Sequence, residues 1–249
     1  MIRNVSLRPV GDTQVFTSFA EPEQPTRDLV IMAHGFRGSS IGPARTFVDF
    51  ENLLLADGFA VFRFDQPGSG HSEGDFFSSS FDSWVDTIAG FAGEYLDAGY
   101  RVSLLGQSMG ATASVVAAAR DELSSRLNAL LLWVPDPKSD DRDFAEDSAE
   151  EGGQRYPTSF WMEARDSDFF ACLREFRGPV HLIYGEDDEY VSPALRSRVI
   201  EAVERSGNPA LVLPGQGHSS WAHESAQHVF ADQRRFLARV SRAPAEPTP

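Results

Sequence analysis

The stretch that decides the fold is Gly106-Gln107-Ser108-Met109-Gly110. Residues 101–105, before it, are largely apolar and predict a strand, and residues 109–121, after Ser108, are rich in Ala and Val and predict a helix. A serine between two glycines at such a junction predicts a sharp turn, with glycines where a side chain would collide with backbone. The turn presents the Ser108 hydroxyl as a candidate nucleophile. It also places the Met109 N–H at a helix start, where developing negative charge is stabilised.

Strand and helix patterns alternate along the rest of the chain. An opening antiparallel hairpin is predicted for residues 5–9 and 14–20 around Gly11-Asp12. Short apolar runs predict further strands at 29–33, 59–64, 128–134, 180–184 and 210–213, and helical spacing is found at 81–98, 196–205 and 224–240. This order predicts an α/β protein with a mostly parallel central sheet and helices on both faces. A length of 249 residues suits a single domain, 1–249.

One long segment interrupts the alternation. Residues 138–178 show no strand pattern; their first part is acidic and their second part is aromatic. An excursion of this length between two sheet strands is usually functional or disordered. The aromatic half favours an ordered cap, so we predict a small cap insertion over the site; the acidic half is also compatible with a solvated loop. Its aromatic residues are Tyr156, Phe160, Trp161, Phe169 and Phe170. The Pro- and Ala-rich tail, 243–249, is expected to be disordered.

Composition narrows the classes of partner. The chain has 22 basic and 37 acidic residues, a formal net charge of −15, which disfavours nucleic acid and anionic lipid surfaces. No apolar run approaches the ~20 residues that cross a bilayer, and no apolar leader opens the chain, so a cytoplasmic protein without membrane insertion is expected. The single cysteine excludes an intrachain disulfide and a cysteine metal cluster. Neither H-E-x-x-H nor G-x-G-x-x-G opening a helix is found, so we expect no metal and no cofactor.

Two loops after predicted strands carry candidate partners for the serine. Four acids, Glu186-Asp187-Asp188-Glu189, follow one strand, and Pro214-Gly215-Gln216-Gly217-His218 follows the last one. Because the carboxyl ends of parallel strands meet at one edge of a sheet, we expect an acid of the first loop and His218 to meet Ser108.

A third loop, His34-Gly35-Phe36-Arg37-Gly38, follows the strand at 29–33. Its glycines allow close approach to a substrate oxygen, and we assign the second oxyanion N–H to Phe36. His34 is interpreted as structural, with its ring bonded to loop backbone.

The chain resembles the α/β-hydrolase superfamily from residue 29 to 240. The G-x-S-x-G elbow and the order serine, acid, histidine carry this resemblance. His34-Gly35-Phe36 and the Asp-x-x-Gly-x-Gly-x-Ser-x-Gly loop at 65–74 resemble small bacterial carboxylesterases of the feruloyl (cinnamoyl) esterase type and the related monoacylglycerol-lipase-like hydrolases. Those families usually carry histidine where this chain has Gln107. Their Gly-x-x-Asp-x-x-Val loop implies Asp188 as the catalytic acid, with Asp187 as the second candidate.

The resemblance implies a serine hydrolase that cleaves carboxylic esters through an acyl-enzyme on Ser108, with His218 as base and Asp188 as its partner. The expected substrate is a small neutral ester. Four alternatives remain open on the same fold: an acyl thioesterase, an acyltransferase, a peptidase, and a ligand-binding receptor with little turnover. The oligomeric state, monomer or dimer, is also open. The candidate substrate-pocket residues are Trp133, Tyr156, Phe160 and Trp161.

Overall fold

The computed structural model describes residues 2–138 and 144–241, so the tail predicted to be disordered lies outside the described residues. The strands are β1 (Ile2–Val10), β2 (Thr13–Glu21), β3 (Asp28–Ala33), β4 (Ala60–Phe64), β5 (Arg101–Gln107), β6 (Ala129–Trp133), β7 (Ser148–Glu151), β8 (Gln154–Pro157), β9 (Val180–Gly185) and β10 (Ala210–Leu213). The α-helices are α1 (Thr46–Ala56), α2 (Phe81–Asp97), α3 (Met109–Ala118), α4 (Ser159–Asp166), α5 (Phe169–Glu175), α6 (Pro193–Arg205) and α7 (His223–Val240).

Eight strands form one sheet in the order β1-β2-β4-β3-β5-β6-β9-β10. The hairpin β1–β2 is antiparallel, with Val5 opposite Ser18, and β2 also pairs antiparallel with β4. All the remaining pairings are parallel. The prediction of an α/β fold with a mostly parallel sheet is therefore confirmed. Every residue of β4, β6 and β9 is buried, which explains why these strands are mostly apolar.

Alternating side chains of β4 show that helices cover both faces. Arg63 points to α1, where its Nε donates to Glu51 at 2.6 Å. Phe62 and Phe64 point the other way, and both contact Phe91 of α2 with ring centroids about 5 Å apart. Successive residues of a strand face opposite sides, so α1 and α2 lie on opposite faces of the sheet. Helix α7 packs beside α1, and α3 packs beside α2.

The segment between β6 and β9 holds the hairpin β7–β8 followed by α4 and α5, which we call the cap. The prediction that residues 138–178 contain no strand is wrong. Strand β7 consists of Ser, Ala and two Glu and is half exposed, so it lacks the alternating apolar pattern by which strands are recognised. The turn does carry a signal: Gly152 and Gly153 both have positive φ, as a two-residue hairpin turn requires.

The cap is tied to α2 by one carboxylate. Glu163 of α4 accepts hydrogen bonds from the N–H groups of Phe81, at 2.8 Å, and Asp82, at 3.4 Å, in the first turn of α2. These N–H groups have no partner within their own helix, and a negative charge is favoured there by the helix dipole. Helix α4 is thereby held over the carboxyl edge of the sheet. The assignment of residues 1–249 to a single domain stays a prediction.

None of the helices in the described ranges is long and apolar enough to cross a membrane. Within the same ranges, no group of three or more His, Cys, Asp and Glu side chains is arranged to hold a metal ion.

Candidate active site

Ser108 occupies a strained turn between β5 and α3. Its φ of 54° and ψ of −122° lie in a region that side-chain-bearing residues rarely adopt. The flanking glycines allow the turn, because a Cβ at Gly106 would collide with the backbone of Gly110 and Ala111. A Cβ at Gly110 would collide with the carbonyls that end β3. As expected, Ser108 stands at the N-terminus of α3, and its side chain makes no capping bond there.

The Ser108 hydroxyl is bonded to a histidine from another loop. His218 Nε2 lies 2.8 Å from Ser108 Oγ, and His218 Nδ1 lies 2.8 Å from Asp188 Oδ2. Asp188 is buried and its other oxygen accepts the N–H groups of Tyr190 and Val191, each at 2.9 Å, whereas Asp187 is exposed. The structure thus brings Ser108, His218 and Asp188 together and leaves Asp187 outside.

The environment of Asp188 favours its ionised form. Burial opposes ionisation, but the hydrogen bond and charge of His218 and the two N–H donors outweigh it, so the pKa of Asp188 is lowered. An ionised carboxylate holds the His218 Nδ1–H, which leaves Nε2 facing the serine as the basic nitrogen.

Backbone contacts lock the His218 loop, residues 214–219, to the acidic loop. The Asp187 N–H donates to the Gln216 carbonyl at 2.8 Å, and the His218 N–H donates to Glu189 Oε2 at 3.2 Å. The loops approach so closely that a Cβ at Gly185 would collide with the carbonyls of Gln216 and Gly217. These contacts exist because β9 and β10 are parallel neighbours, so their following loops leave the same edge.

The β3 loop, residues 34–38, orients one further backbone N–H. The Gly35 carbonyl accepts hydrogen bonds from His34 Nδ1, at 2.7 Å, and from the Gly38 N–H, at 2.9 Å. In a trans peptide the next N–H points opposite the carbonyl, so these two bonds fix the direction of the Phe36 N–H. Met109, whose N–H belongs to the first turn of α3, is the other predicted donor, and both residues line the cavity around Ser108.

His34 is held in one tautomer. Its Nε2 accepts the Gln66 N–H at 2.9 Å, so Nδ1 carries the proton that the Gly35 carbonyl accepts. The ring is fully buried, and burial lowers its pKa, which keeps the imidazole neutral.

Comparison with known proteins agrees with this architecture. The family model described as serine aminopeptidase, S33, matches residues 24–146, which include the β3 loop and Ser108 but end before Asp188 and His218. Est1E from Butyrivibrio proteoclasticus, solved with ferulic acid bound, aligns with a TM-score of 0.79 at 19% identity, over 93% of this chain and 98% of Est1E. The chain has the α/β-hydrolase fold.

Two other solved structures show the same fold at low identity. Alpha/beta hydrolase domain-containing protein 10 from mouse aligns with a TM-score of 0.76 at 18% identity, over 95% of this chain and 99% of that chain. A lipase in its open form aligns with a TM-score of 0.74 at 16% identity, over 97% and 100% of the two chains. No curated protein matches the chain in sequence.

In this fold, a cavity of about 870 Å³ opens above Ser108 and His218. Tyr156 and Trp161 of the cap line it, as predicted from the sequence, together with Phe36. Phe144 and Tyr190 also line it, and the sequence analysis did not single them out. The Tyr190 ring lies 5.0 Å from the His218 ring and is well exposed at the cavity mouth.

Two predicted pocket residues lie elsewhere. Trp133 is 1% exposed. Its ring packs against Phe47 and Phe50 of α1 and Phe230 of α7, on the α1 and α7 side of the sheet. Its indole N–H donates to Gln233 at 2.8 Å. Trp133 therefore belongs to the hydrophobic core, and the prediction that it lines the substrate pocket is wrong.

Phe160 is fully buried behind the cavity wall. Its ring lies 5.1 Å from Phe36 and 5.1 Å from Trp84, so it supports the wall and does not line it. Phe169, the first residue of α5, is 1% exposed and is likewise packed into the core. Of the cap aromatics, the helical turn of α4 exposes Trp161 to the cavity and turns Phe160 away from it.

Charged side chains reach the cavity as ion pairs. Arg37 of the β3 loop donates to Glu151 of β7 at 2.9 Å. Asp136, which follows β6, pairs with Lys138 at 2.7 Å, and the Lys138 Nζ lies 4.7 Å from the centre of the Trp161 ring. Lys138 is the single lysine of the chain. Sequence reasoning missed the pairing of these four residues, since nothing local connects Arg37 to Glu151.

Proposed function

We propose that this chain is a serine hydrolase that cleaves small, neutral carboxylic esters through an acyl-enzyme on Ser108. The observation that supports it best is the hydrogen-bonded triad Ser108–His218–Asp188 at the floor of an open cavity. His218 Nε2 lies 2.8 Å from Ser108 Oγ, and His218 Nδ1 lies 2.8 Å from Asp188 Oδ2. The strained backbone of Ser108 also supports it, because strain of this kind clusters at functional sites.

In the proposed mechanism, His218 Nε2 takes the proton of Ser108 while Oγ attacks the ester carbonyl carbon. The resulting oxyanion accepts hydrogen bonds from the Phe36 and Met109 N–H groups; one such donor typically contributes ~2.7–4 kcal/mol. His218 then gives its proton to the departing alkoxide, and the alcohol leaves. Water attacks the acyl-enzyme while His218 takes a proton from it, and collapse of the second intermediate releases the acid and restores Ser108. Asp188 stays ionised throughout.

The cavity wall supports a neutral ester with an apolar or aromatic group. Phe36, Tyr156 and Trp161 provide an aromatic surface, and both ion pairs are formally neutral. Est1E, a structural relative, was solved with ferulic acid, an aromatic acid, in complex.

A peptidase is the second candidate, since the matching family model is described as a serine aminopeptidase. Binding of a peptide α-ammonium group requires a carboxylate that can accept it. In the described part of the cavity, the two lining carboxylates, Asp136 and Glu151, already pair with Lys138 and Arg37. This arrangement favours an ester substrate over a peptide.

The expected cytoplasmic localisation stays a prediction.

Covalent labelling tests the proposal. A fluorophosphonate probe should add once to the wild-type protein at Ser108, detected by intact mass, and Ser108→Ala should abolish labelling and lower ester turnover by at least ~10⁴-fold. Ser197→Ala, at an exposed serine of α6, is the matched control and should be labelled like the wild type. A panel of matched ester, thioester and amide substrates then ranks the reaction classes. Labelling at a different serine, or faster amide than ester turnover, would contradict the proposal.

A further inference from the structure

The side chain of Gln107 joins three parts of the site. Its Oε1 accepts the Gly35 N–H at 3.0 Å, and its Nε2 donates to Ser219 Oγ at 2.9 Å. Gln107 is the last residue of β5, and its side chain is buried. One carboxamide therefore links the strand that carries Ser108, the β3 loop and the His218 loop.

The geometry admits only one orientation of this carboxamide. The Gly35 N–H is a donor, so the oxygen must face it, and the NH₂ group then faces Ser219. The approach is close, because a Cβ at Gly35 would lie 2.5 Å from Gln107 Oε1 and 3.0 Å from Ser108 Cβ. The link is thus short, buried and directional.

We propose that Gln107 is a positioning residue, which holds the Phe36 N–H and His218 in register with Ser108; this inference rests on the proposed ester hydrolysis. Gly35 directly precedes Phe36, and Ser219 directly follows His218. The two groups lie on separate loops, and catalysis requires both to stay aligned with the nucleophile. A misplacement of about 1 Å costs on the order of 10²-fold in rate, so a direct tether between the loops has a measurable kinetic effect.

Gln107→Met tests the tether, because methionine keeps the length and volume of the side chain and removes both hydrogen bonds. We expect kcat to fall by ~10- to 100-fold with KM within ~3-fold, and the rate of phosphonate labelling to fall with kcat. Gln233→Met is the matched control. Gln233, on α7, is buried too, and its Oε1 accepts the Trp133 indole N–H at 2.8 Å. This control should lower the melting temperature and leave kcat within ~2-fold.

Gln107→Glu adds a second measurement, the pH dependence of kcat, which would not change if Gln107 served only the stability of the fold. A protonated carboxyl offers one acceptor and one donor, as the carboxamide does, whereas an ionised one offers only acceptors and adds charge beside the β3 loop. The ratio of variant to wild-type kcat should therefore rise as pH falls from 8 to 5. The titratable groups on the surrounding elements, which both proteins carry, are His34, Asp188, Glu189 and His218.

Two results would overturn the positioning role: Gln107→Met with wild-type kcat and labelling rate, or a Gln107→Glu ratio that is constant across this pH range. If either occurs while wild-type Ser108 is labelled, the serine hydrolase stands and the role of Gln107 is wrong. If wild-type Ser108 is not labelled, the proposed function is wrong, and the role of Gln107 with it.

Discussion

At the carboxyl edge of the sheet, the loops around Ser108 are joined by hydrogen bonds, whereas the cap above them is joined to the same loops mainly by aromatic rings. Asp188, for example, accepts three hydrogen bonds of 2.8 or 2.9 Å, from the Tyr190 and Val191 N–H groups and from His218 Nδ1. On the cap side, the Phe36 ring meets the rings of Trp161 and Tyr156 with centroids 4.1 and 4.9 Å apart.

The difference between the two regions has a physical consequence. Hydrogen bonds depend steeply on distance and angle, so the edge fixes atomic positions closely. Ring contacts tolerate several geometries and can repack after substitution. Changes at the edge should therefore alter the rate of the chemical step, and changes in the cap should alter which substrate is preferred. Phe36 belongs to both regions, since its N–H is a proposed oxyanion donor and its ring is the centre of the aromatic cluster.

The largest expected effect lies at the edge. Asp188→Asn should lower kcat by ~10⁴-fold, because the amide would favour the wrong tautomer of His218, as in the serine-protease precedent. Asp187→Asn, one residue earlier and exposed, should stay within ~3-fold. Steady-state kinetics of the two purified variants on one ester decide between them, and the reverse ranking would make Asp187 the functional acid.

A smaller effect is expected from substrate charge at the cap side of the cavity. A neutral aryl or alkyl ester should exceed the matching acyl-coenzyme A in kcat/KM by at least ~10²-fold, about 2.7 kcal/mol. The reason is that Arg37 and Lys138, the Arg and Lys side chains that line the described part of the cavity, are already paired with carboxylates. The formal net charge of −15 also disfavours phosphate groups. Paired assays at low and high salt provide the measurement. Equal acyl-coenzyme A turnover at low salt would favour a thioesterase instead.

Within the cap, Trp161 and Phe160 should respond differently although they are adjacent. Trp161→Ala removes a ring from the cavity wall and enlarges the cavity. The ratio of kcat/KM for short acyl chains to kcat/KM for long ones should therefore change by ~10-fold. Phe160→Leu lies behind the wall, so it should lower the free energy of unfolding by about 1–2 kcal/mol and leave that preference unchanged. Chain-length profiles and urea unfolding of both variants are needed. A Trp161→Ala protein with altered stability only would assign that ring to packing.

The smallest effect concerns pH and stability. Burial lowers the pKa of His34, at the edge, and of His181, on β9, where Asp232 only partly opposes it. Below the unfolded value of about 6.5, the unfolded chain binds protons that the folded histidines do not, so the free energy of unfolding should fall as pH falls. The slope is at most ~1.4 kcal/mol per pH unit for each histidine.

Urea unfolding at pH 7.5 and 5.5 measures this loss. His181→Gln should reduce the difference between the two pH values, and His228→Gln, at an exposed position of α7, serves as control. Residues 138–178 contain no histidine, so no histidine of the cap contributes to the difference. An equal pH difference in wild type and His181→Gln would show that this ring does not carry the effect.

The residues around Ser108 could be found from the sequence because each part has a local signal. Glycines flank the serine and precede His218, and each of these loops directly follows an apolar strand. Once the strands are parallel, their loops must meet at one edge, so an acid of residues 186–189 and His218 are expected near Ser108 without knowledge of the packing. The choice of Asp188 among the four acids came from the resemblance to the α/β-hydrolase loop pattern.

The cavity lining could not be found in this way. Trp133 and Trp161 are both aromatic residues near strand or helix ends, and their sequence contexts do not separate core from wall. Only the packing of α1 and α7 against β6 shows that Trp133 belongs to the core. Strands β7 and β8 were missed because a polar, half-exposed hairpin has no apolar alternation to reveal it.

The sequence by itself determined the alternation of strands and helices, the strained serine turn and the order of the candidate catalytic residues along the chain. These depend on short-range backbone sterics and hydrophobic periodicity, which neighbouring residues carry. The tertiary structure alone decided which rings line the cavity, that Arg37 pairs with Glu151, and that Gln107 bridges Gly35 and Ser219. Those contacts join residues between 72 and 114 positions apart, so they arise only when the loops and the cap are packed over one edge of the sheet.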